Sequence, residues 1–572
     1  MNGAQYILAF LEEQRCQRIY GYPGGAIMPL YDALLDSSIT HYLTRHEQGA
    51  AFAAIGQARA SNQTAVCLGT SGPGATNLLT AVADAKLDSV PLLVITGQVP
   101  TPAMGSDAFQ EVDVLGLSLS ITKHSFLVDQ VEDLPKVLDK AWQLTHSGRP
   151  GPVLIDVPKD ILLTPVPTKL QKLAGSYLTA FQDVNASKYE KRASTEELSS
   201  KALENIAIAN QLLKNSEKPV LYVGGGIAMA NAQQQLDEFM SQANLPAVAT
   251  LKGLGSITRD YPLNLGMLGM HGLPPANYAV QDADLLLVVG ARLDDRATGK
   301  LNEFAPNAKL IHIDIDGAEI SKRRKADAAI QADVKSVLPR LVTELSISKW
   351  QSHCSAMKLS HEEGYQIAAD EHKIAAPKLL RYLSDKLQPQ DIVSCDVGQH
   401  QMWVAQHMQF SSPTCHLTSG GLGTMGFGLP AAIGAKLQQS DGQVIAVCGD
   451  GSFMMNIQEL ATLKRYQVPV KIMIMDNQRL GMVKQWQELF NEERYSETDL
   501  SDNPEFSLVA NAFGISSAVL DNAQNIEEKI TWFLEHQGPC LLHVRLSAEQ
   551  NVWPIVPPNT PNHKMLENTN VA

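Results

Sequence analysis

An α/β fold built on parallel sheets, in three comparable blocks, is what the sequence predicts, and three observations predict it. Short apolar runs ending in glycine turns recur along the chain: 65–68 before Gly69, 92–95 before Gly97, 220–223 before Gly224, 285–289 before Gly290 and 392–395 before Gly398. Helical patterns separate these runs, and unbroken apolar strands alternating with helices read as parallel strands covered on both faces. Finally, 572 residues are too many for one core. Polar, proline-containing stretches set the expected boundaries: a first block at 1–165, a linker at 166–193, a second block at 194–346, a linker at 347–376, a third block at 377–550 and a tail at 551–572. The tail carries Pro554, Pro557, Pro558 and Pro561. It is expected to lack regular structure and to act as a mobile cover.

The elements follow in order. Residues 1–17 read as an amphipathic helix, not a leader, because Glu12 and Glu13 stand close behind a short apolar stretch. Gly21-Tyr22-Pro23-Gly24-Gly25 follows a strand end. Glu47 opens a helix rich in small residues (Ala50, Ala51, Ala53, Ala54, Gly56, Ala58). An acid in a first helical turn offsets the dipole. Among small and aliphatic neighbours it is also poorly solvated, so a raised pKa is expected. The segment from Gly69 through Thr70, Pro73 and Asn77 is a glycine-rich strand-to-helix turn.

In the second block Gly224-Gly225-Gly226 follows a strand. Gly290-Ala291-Arg292, with Asp294 and Arg296, forms a charged loop after another, where arginine and backbone amides suit a diphosphate. Asp314 ends the strand at 310–313, a position from which an acid can bind ribose hydroxyls.

The third block holds the most informative pair of turns. An apolar run at 443–448 ends in Gly449-Asp450-Gly451; a helix is expected at 453–466; a second run at 470–475 ends in Asp476-Asn477. Parallel strands bring both turns to one carboxyl edge, where open α/β sheets bind ligands. A carboxylate and an amide oxygen there suit Mg²⁺, which shares its oxygen ligands with phosphates. The glycines admit a diphosphate close to the backbone.

A net charge of −14 argues against nucleic acid or an anionic membrane as partner. No apolar run approaches bilayer length. The seven cysteines lack CxxC spacing, and Cys67, Cys395 and Cys448 lie in apolar strands, as buried thiols of a reducing, cytoplasmic compartment would.

The glycine-acid-glycine turn and the amide turn, with 24 residues between Gly451 and Asp476, resemble the metal-diphosphate motif of thiamine-diphosphate enzymes. Asp476 stands where that motif often has its first asparagine. The resemblance becomes specific in GYPGGAIMPLYDAL, RHEQGAAFAAIGQARA, TSGPGATN, SDAFQEVD, SGRPGPVLIDVPKD, GMLGMHG, GARLDDRATGK, DVGQHQMW, SGGLGTMGFGLPAAIGA, GDGSFMMNIQEL and GMVKQWQ. All resemble the catalytic large subunits of acetohydroxyacid (acetolactate) synthases. The start and the stretch DNQRLGMV lie nearest the enterobacterial isozyme II branch.

That resemblance implies two thiamine-diphosphate-binding-type domains, pyrimidine-binding then diphosphate- and Mg²⁺-binding, flanking a Rossmann-like FAD-binding domain. It implies that Glu47 faces the aminopyrimidine ring of thiamine diphosphate. It places Tyr22, Pro23, Gly24, Thr70, Pro73, Asn77 and Gln110 near that cofactor from the first block. From the third block it places Val397, Gly398, Gln399, His400, Gly420, Gly423, Met425, Gly451, Ser452, Gly481 and Met482 there. Met425 is implied to prop the cofactor in a bent shape. Asp450, Asn477 and the backbone oxygen of Arg479 are implied to hold Mg²⁺. For FAD it implies Arg149, Gly224, Gly225, Gly226, Thr250, Leu251, Met270, His271, Gly290, Ala291, Arg292, Asp294, Arg296, Asp314 and Asp333. Arg296 is implied to receive a 2-keto acid's carboxylate and Trp486 to favour 2-oxobutyrate over pyruvate as acceptor. Phe109, Met270 and Lys159 are implied to line the same region. A homodimer or homotetramer with a small regulatory subunit is implied as well. Two related activities remain as alternatives: a pyruvate oxidase using redox-active FAD, and a glyoxylate carboligase, whose motif lacks the acid that Glu47 supplies. A scaffold without activity is disfavoured by the presence of Glu47, Asp450 and Asn477 together.

Overall fold

The computed structural model describes residues 1–170, 198–364, 372–439 and 441–567. It contains three six-stranded sheets in which every strand pair is parallel. The first sheet is built from β1 (Arg18–Gly21), β2 (Thr40–Leu43), β3 (Ala65–Gly69), β4 (Leu92–Gln98), β5 (His124–Leu127) and β6 (Pro152–Pro158), in the order β2-β1-β3-β4-β6-β5. The second uses β7 (Pro219–Val223), β8 (Ala247–Ala249), β9 (Asn264–Met267), β10 (Leu285–Val289), β11 (Lys309–Asp314) and β12 (Ala328–Gln331), in the order β12-β11-β10-β7-β8-β9. The third uses β13 (Ile392–Cys395), β14 (His416–Thr418), β15 (Val444–Gly449), β16 (Val470–Asp476), β17 (Ser516–Leu520) and β18 (Cys540–Arg545), in the order β14-β13-β15-β16-β18-β17.

The first and third sheets therefore share one strand order, while the second has the doubly wound order of dinucleotide-binding sheets. The apolar runs read from sequence form the central strands, and β3, β4, β6, β7, β10, β15 and β16 are buried along their whole length. In each sheet the order reverses beside the first strand of the block: between β1 and β3, between β7 and β10, and between β13 and β15. Strand-end loops diverge at such a point and leave a crevice.

The first and third blocks share one core. The helix Glu47–Ser61 lies against Gly428–Gln438 so closely that a Cβ on Gly434 would stand 1.7 Å from the Ala53 carbonyl oxygen, and one on Gly56 2.0 Å from that of Ala431. The run of alanines in the first helix thus answers to a second backbone, not only to its own sheet. Phe52 and Phe427 close the same core edge-to-face, their ring centroids 5.4 Å apart.

Three expectations change. The helix expected at 453–466 is split into Asp450–Met454, a tight turn Ile457–Glu459 and Leu460–Tyr466. Buried Asn456 donates to the Gly426 carbonyl at 2.7 Å, which anchors the break. Part of the expected linker at 347–376 is the helix Ser348–Gly364, because Ile347, Trp350 and Cys354 at helical spacing join the middle core. Trp350 also donates from Nε1 to the Pro219 carbonyl at 3.1 Å. The tail at 551–567 packs down, with Val552, Ile555, Val556 and Asn562 buried. Of the linker expected at 166–193, residues 171–193 lie outside the described residues. No described helix is long and apolar enough to cross a membrane.

Candidate active site

Most of the residues singled out from sequence fall into three groups, one near each strand-order reversal. At the first, Glu47 is buried at the start of its helix, and Asn77 donates from Nδ2 to Glu47 Oε2 at 2.9 Å. A Cβ on Gly24 would meet Thr70 at 2.4 Å, and one on Gly74 would meet Thr70 at 2.7 Å and Glu47 Oε1 at 3.4 Å. Ala26 donates its N–H to Thr70 Oγ1 at 3.3 Å. Gly72, at φ +58°, turns the chain beside Gln110, and Pro73 opens the helix Pro73–Leu87. Tyr22 and Pro23 complete this edge after β1; Tyr22 is 41% exposed and Phe109 is 88% exposed, so both present apolar surface outward. Lys159 opens the helix Lys159–Leu163 after β6.

At the third sheet's reversal the turns after β13, β15 and β16 converge. Asp396, buried at the end of β13, accepts N–H bonds from Val397, Gly426 and Gly428 at 2.8–2.9 Å. It thereby joins the 397–400 turn to the loop of Gly423 and Met425. His400 is held neutral, its pKa pushed down to about 3 by burial, and its Nε2 accepts the Gly449 N–H at 3.1 Å. Ser452 closes the Gly449 turn by accepting the same N–H. Asp450 and Asn477 are both buried. Burial and the neighbouring Asp476 carboxylate push the Asp450 carboxyl up to about 7. Asp476 in turn bonds His543 Nε2 at 2.7 Å, and His543 Nδ1 bonds Glu505 at 2.8 Å.

These residues fit a hard divalent cation. A buried carboxyl strained by a second negative charge is what a cation relieves, and the oxygens of Asn477 and Arg479 are of the type Mg²⁺ takes. Among the described residues no group of three or more His, Cys, Asp or Glu is placed to hold a metal, so a cation here depends on amide and backbone oxygens. The approach to Asp450 is kept open by glycine: a Cβ on Gly451 would meet Leu480 at 2.9 Å, and one on Gly481 the Gln399 amide oxygen at 2.0 Å.

At the second sheet's reversal lies a cavity of about 1180 Å³. Gly225, Gly226, Gly290, Ala291, Arg292 and Asp294 line it, and so do Thr250, Leu251, Met270, His271 and Arg296. Asp314, Asp333 and Arg149 reach it from other loops. Gly224 lies beneath, where a Cβ would come 2.2 Å from the Gly290 carbonyl oxygen; Gly290 itself is at φ +56°. The volume, the glycine cradle and the acid at the end of β11 fit a dinucleotide. Burial raises the Asp314 carboxyl to about 6. Arg149 is tied to Ser89 at 2.7 Å and Glu319 at 2.9 Å.

The same cavity is lined by Val397, Gly398, Gly420, Gly423, Met425, Met482 and Trp486 from the third block. So the middle-block group and part of the third-block group share one space. Glu47, Thr70, Asn77, Gln110, Phe109, Lys159, Asp450, Asn477 and Arg479 do not line it.

Sequence reading missed the buried charges that hold these loops. Asp88 pairs with Arg59 of its own block at 4.0 Å and with Lys252 of the second at 2.7 Å, and accepts the N–H groups of Gly420 and Gly421 of the third at 3.0 and 2.7 Å, so it joins all three blocks. Burial would raise its pKa, yet Lys252 and Arg59 hold it below the ordinary range. Asp84, one turn earlier, accepts from Thr424 at 2.9 Å and from Ser419. Two acids four apart on an otherwise apolar helix face were the available signal. Gln485, fully buried beside Trp486, was also missed; its signal is an amide on the buried face of an amphipathic helix.

Three thiamine pyrophosphate enzyme models match the chain: the N-terminal TPP binding domain over 1–117, the central domain over 206–341 and the C-terminal TPP binding domain over 396–544. The chain is 52% identical over 567 residues to the acetolactate synthase isozyme 2 large subunit of Escherichia coli K12, covering 99% of this chain and 100% of that protein. It is 44% identical over 569 residues to the isozyme 1 large subunit of the same organism, covering 99% and 97%. To a probable acetolactate synthase large subunit of Methanocaldococcus jannaschii it is 41% identical over 575 residues, covering 98% and 94%.

Proposed function

The chain belongs to the acetolactate synthase large subunits, and from that premise we propose that it decarboxylates pyruvate and joins the two-carbon unit to a second 2-keto acid. The product is 2-acetolactate with pyruvate as acceptor, or 2-aceto-2-hydroxybutyrate with 2-oxobutyrate. This is the first common step toward valine, leucine and isoleucine. The observation that carries the reading is the convergence of buried Asp450 and Asn477 at adjacent parallel strand ends, within a chain matched end to end by such subunits.

Thiamine diphosphate, when bound, supplies a carbon nucleophile and an electron sink for loss of carbon dioxide. The chain's own groups do the rest. Asp450, Asn477 and the Arg479 carbonyl would hold Mg²⁺, which would neutralise the diphosphate's charge. Glu47, kept from water and oriented by Asn77, would face the aminopyrimidine ring and serve there as a general acid–base group. Met425 shapes the cofactor's bend. Arg296 takes the acceptor's carboxylate, and Trp486 offers an apolar wall that gains from an extra methylene. Gly225, Gly226, Gly290 and Arg292 of the middle cavity would hold FAD, with no net redox role in the reaction.

Neither Glu47 nor Asp450 lines the middle cavity, and the unit is read as a homodimer or a tetramer of such pairs, with the site completed by a second copy. The large-subunit relatives support a small regulatory partner. The test is acetolactate formation from pyruvate with thiamine diphosphate, Mg²⁺ and FAD. Glu47→Gln is expected to bind thiamine diphosphate while turnover nearly vanishes. Oxygen or quinone reduction in place of acetolactate would overturn the proposal.

A further inference from the structure

A chain of buried amides runs from the proposed cation site to the C-terminal tail. Asn477 donates from Nδ2 to Gln399 Oε1 at 2.9 Å. Gln399 donates from Nε2 to Gln485 Oε1 at 3.2 Å. Gln485 then closes a two-bond ring with the backbone of Val552: its Nε2 donates to the carbonyl at 2.8 Å, and its Oε1 accepts the N–H at 3.0 Å. Gln485 and Val552 are fully buried, Gln399 4% exposed and Asn477 6%. Room for the Gln399 amide exists because Gly481 lacks a side chain.

The direction of this chain has a cause. An amide side chain has two nearly isosteric ends, and only its partners decide which points where. A backbone N–H can only donate and a carbonyl only accept, so Val552 dictates which end of Gln485 faces which way. Gln485 Oε1 then requires the NH₂ of Gln399, and Gln399 Oε1 requires the NH₂ of Asn477. The Asn477 oxygen, the end a hard ion needs, is left facing away from Gln399; it also accepts the Arg479 N–H at 3.2 Å and keeps a second lone pair for the ion. Beyond Val552 the tail is pinned to the middle block: Val556 donates its N–H to the Met270 carbonyl at 2.8 Å, and Asn562 donates to that of Ala297 at 2.8 Å.

We propose that Gln485 is a positioning residue that couples docking of the tail at 552–566 to cation binding, by setting the orientation of the Asn477 amide through Gln399. The inference rests on the cation site assigned above. Coupling of this kind is reciprocal: a docked tail tightens the cation, and the cation slows tail release. Partners that orient a metal ligand typically change metal affinity about 10–100-fold when lost.

The experiment uses the full chain, Gln485→Leu and the similarly sized, unbranched Gln485→Met, neither of which can bond the Gln399 amide or the Val552 backbone. Two quantities are read: the Mg²⁺ concentration that half-saturates thiamine diphosphate binding, and hydrogen exchange of 552–566 with and without Mg²⁺ and thiamine diphosphate. In the wild type the cofactors are expected to slow tail exchange. In both variants the Mg²⁺ midpoint is expected to rise about 10–100-fold, and tail exchange to become insensitive to the cofactors. A merely structural loss would speed exchange yet leave its cofactor dependence intact, and that result overturns the proposal. Should Gln485→Leu fail to fold, Gln485→Met alone decides. Variants that titrate and exchange like the wild type defeat the relay alone, whereas a wild type that binds no thiamine diphosphate at any Mg²⁺ concentration defeats the cation site and the relay together.

Discussion

Gly434→Ala tests the crossing on which the union of the first and third blocks rests. A methyl group there would sit 1.7 Å from the Ala53 carbonyl oxygen, and the neighbouring approach of Gly56 to Ala431 is nearly as close at 2.0 Å. Both contacts are with backbone, which cannot rotate aside as a side chain does. The two helices would have to part by more than an ångström along a core shared by both blocks. In an unpacked helix, replacing glycine by alanine stabilises by about 0.5–1 kcal/mol. Overpacking a filled core costs about 1–3 kcal/mol, sometimes more. The clash wins, and a net loss of about 2 kcal/mol is expected. The assay is chemical denaturation followed by circular dichroism and tryptophan fluorescence, comparing midpoints. Gly56→Ala should behave alike, and the double variant should lose less than the two single losses together, since one separation relieves both contacts. An unchanged or raised midpoint for Gly434→Ala would show that the helices do not meet in this way.

Three further expectations follow from the same geometry. Glu459 accepts the Arg45 N–H at 3.0 Å and the Thr462 hydroxyl at 2.6 Å, and burial raises its carboxyl from 4.5 to about 7. Its folded pKa lies above its unfolded one, so its contribution is full below about pH 4.5 and lost as pH climbs to about 7, by at most roughly 3 kcal/mol; Glu459→Gln should flatten the stability profile across that window, and a profile as steep as the wild type's counts against it. Asp88→Asn leaves Lys252 and Arg59 facing each other without their counter-charge, so denaturation should show a loss of about 3–5 kcal/mol; a loss below 1 kcal/mol would mean the cluster is not buried as described. Trp486→Leu removes the broad wall that packs edge-to-face on Phe490 with ring centroids 5.6 Å apart. The product ratio from mixed pyruvate and 2-oxobutyrate should then shift toward 2-acetolactate, by no more than the roughly 1–3 kcal/mol a methylene contributes.

The strands were legible because each central one is apolar along its length and stops at glycine, a signal that is local and complete within a few residues. The same locality made Gly449-Asp450-Gly451, Asp476-Asn477 and the Gly290 loop readable as sites. The helix 348–364 was not legible as part of a core, since only a few apolar residues (Trp350, Cys354 and Met357) in a polar segment mark the face that packs on the middle core. The break at Asn456 was hidden for a related reason: its cause is the Gly426 carbonyl, thirty residues away.

By itself the sequence determined the three parallel sheets and the residue types waiting at their carboxyl edges, because a strand's burial and a turn's chemistry are written in adjacent residues. Only the tertiary structure decided that two sheets repeat one strand order and that an alanine-rich helix serves a partner helix. It alone also showed that Asp88 joins three blocks and that buried amides link Asn477 to the tail's backbone. Those outcomes depend on hydrogen bonds and contacts between residues scores to hundreds apart, and hydrogen-bond polarity becomes specific only once its partners are in place.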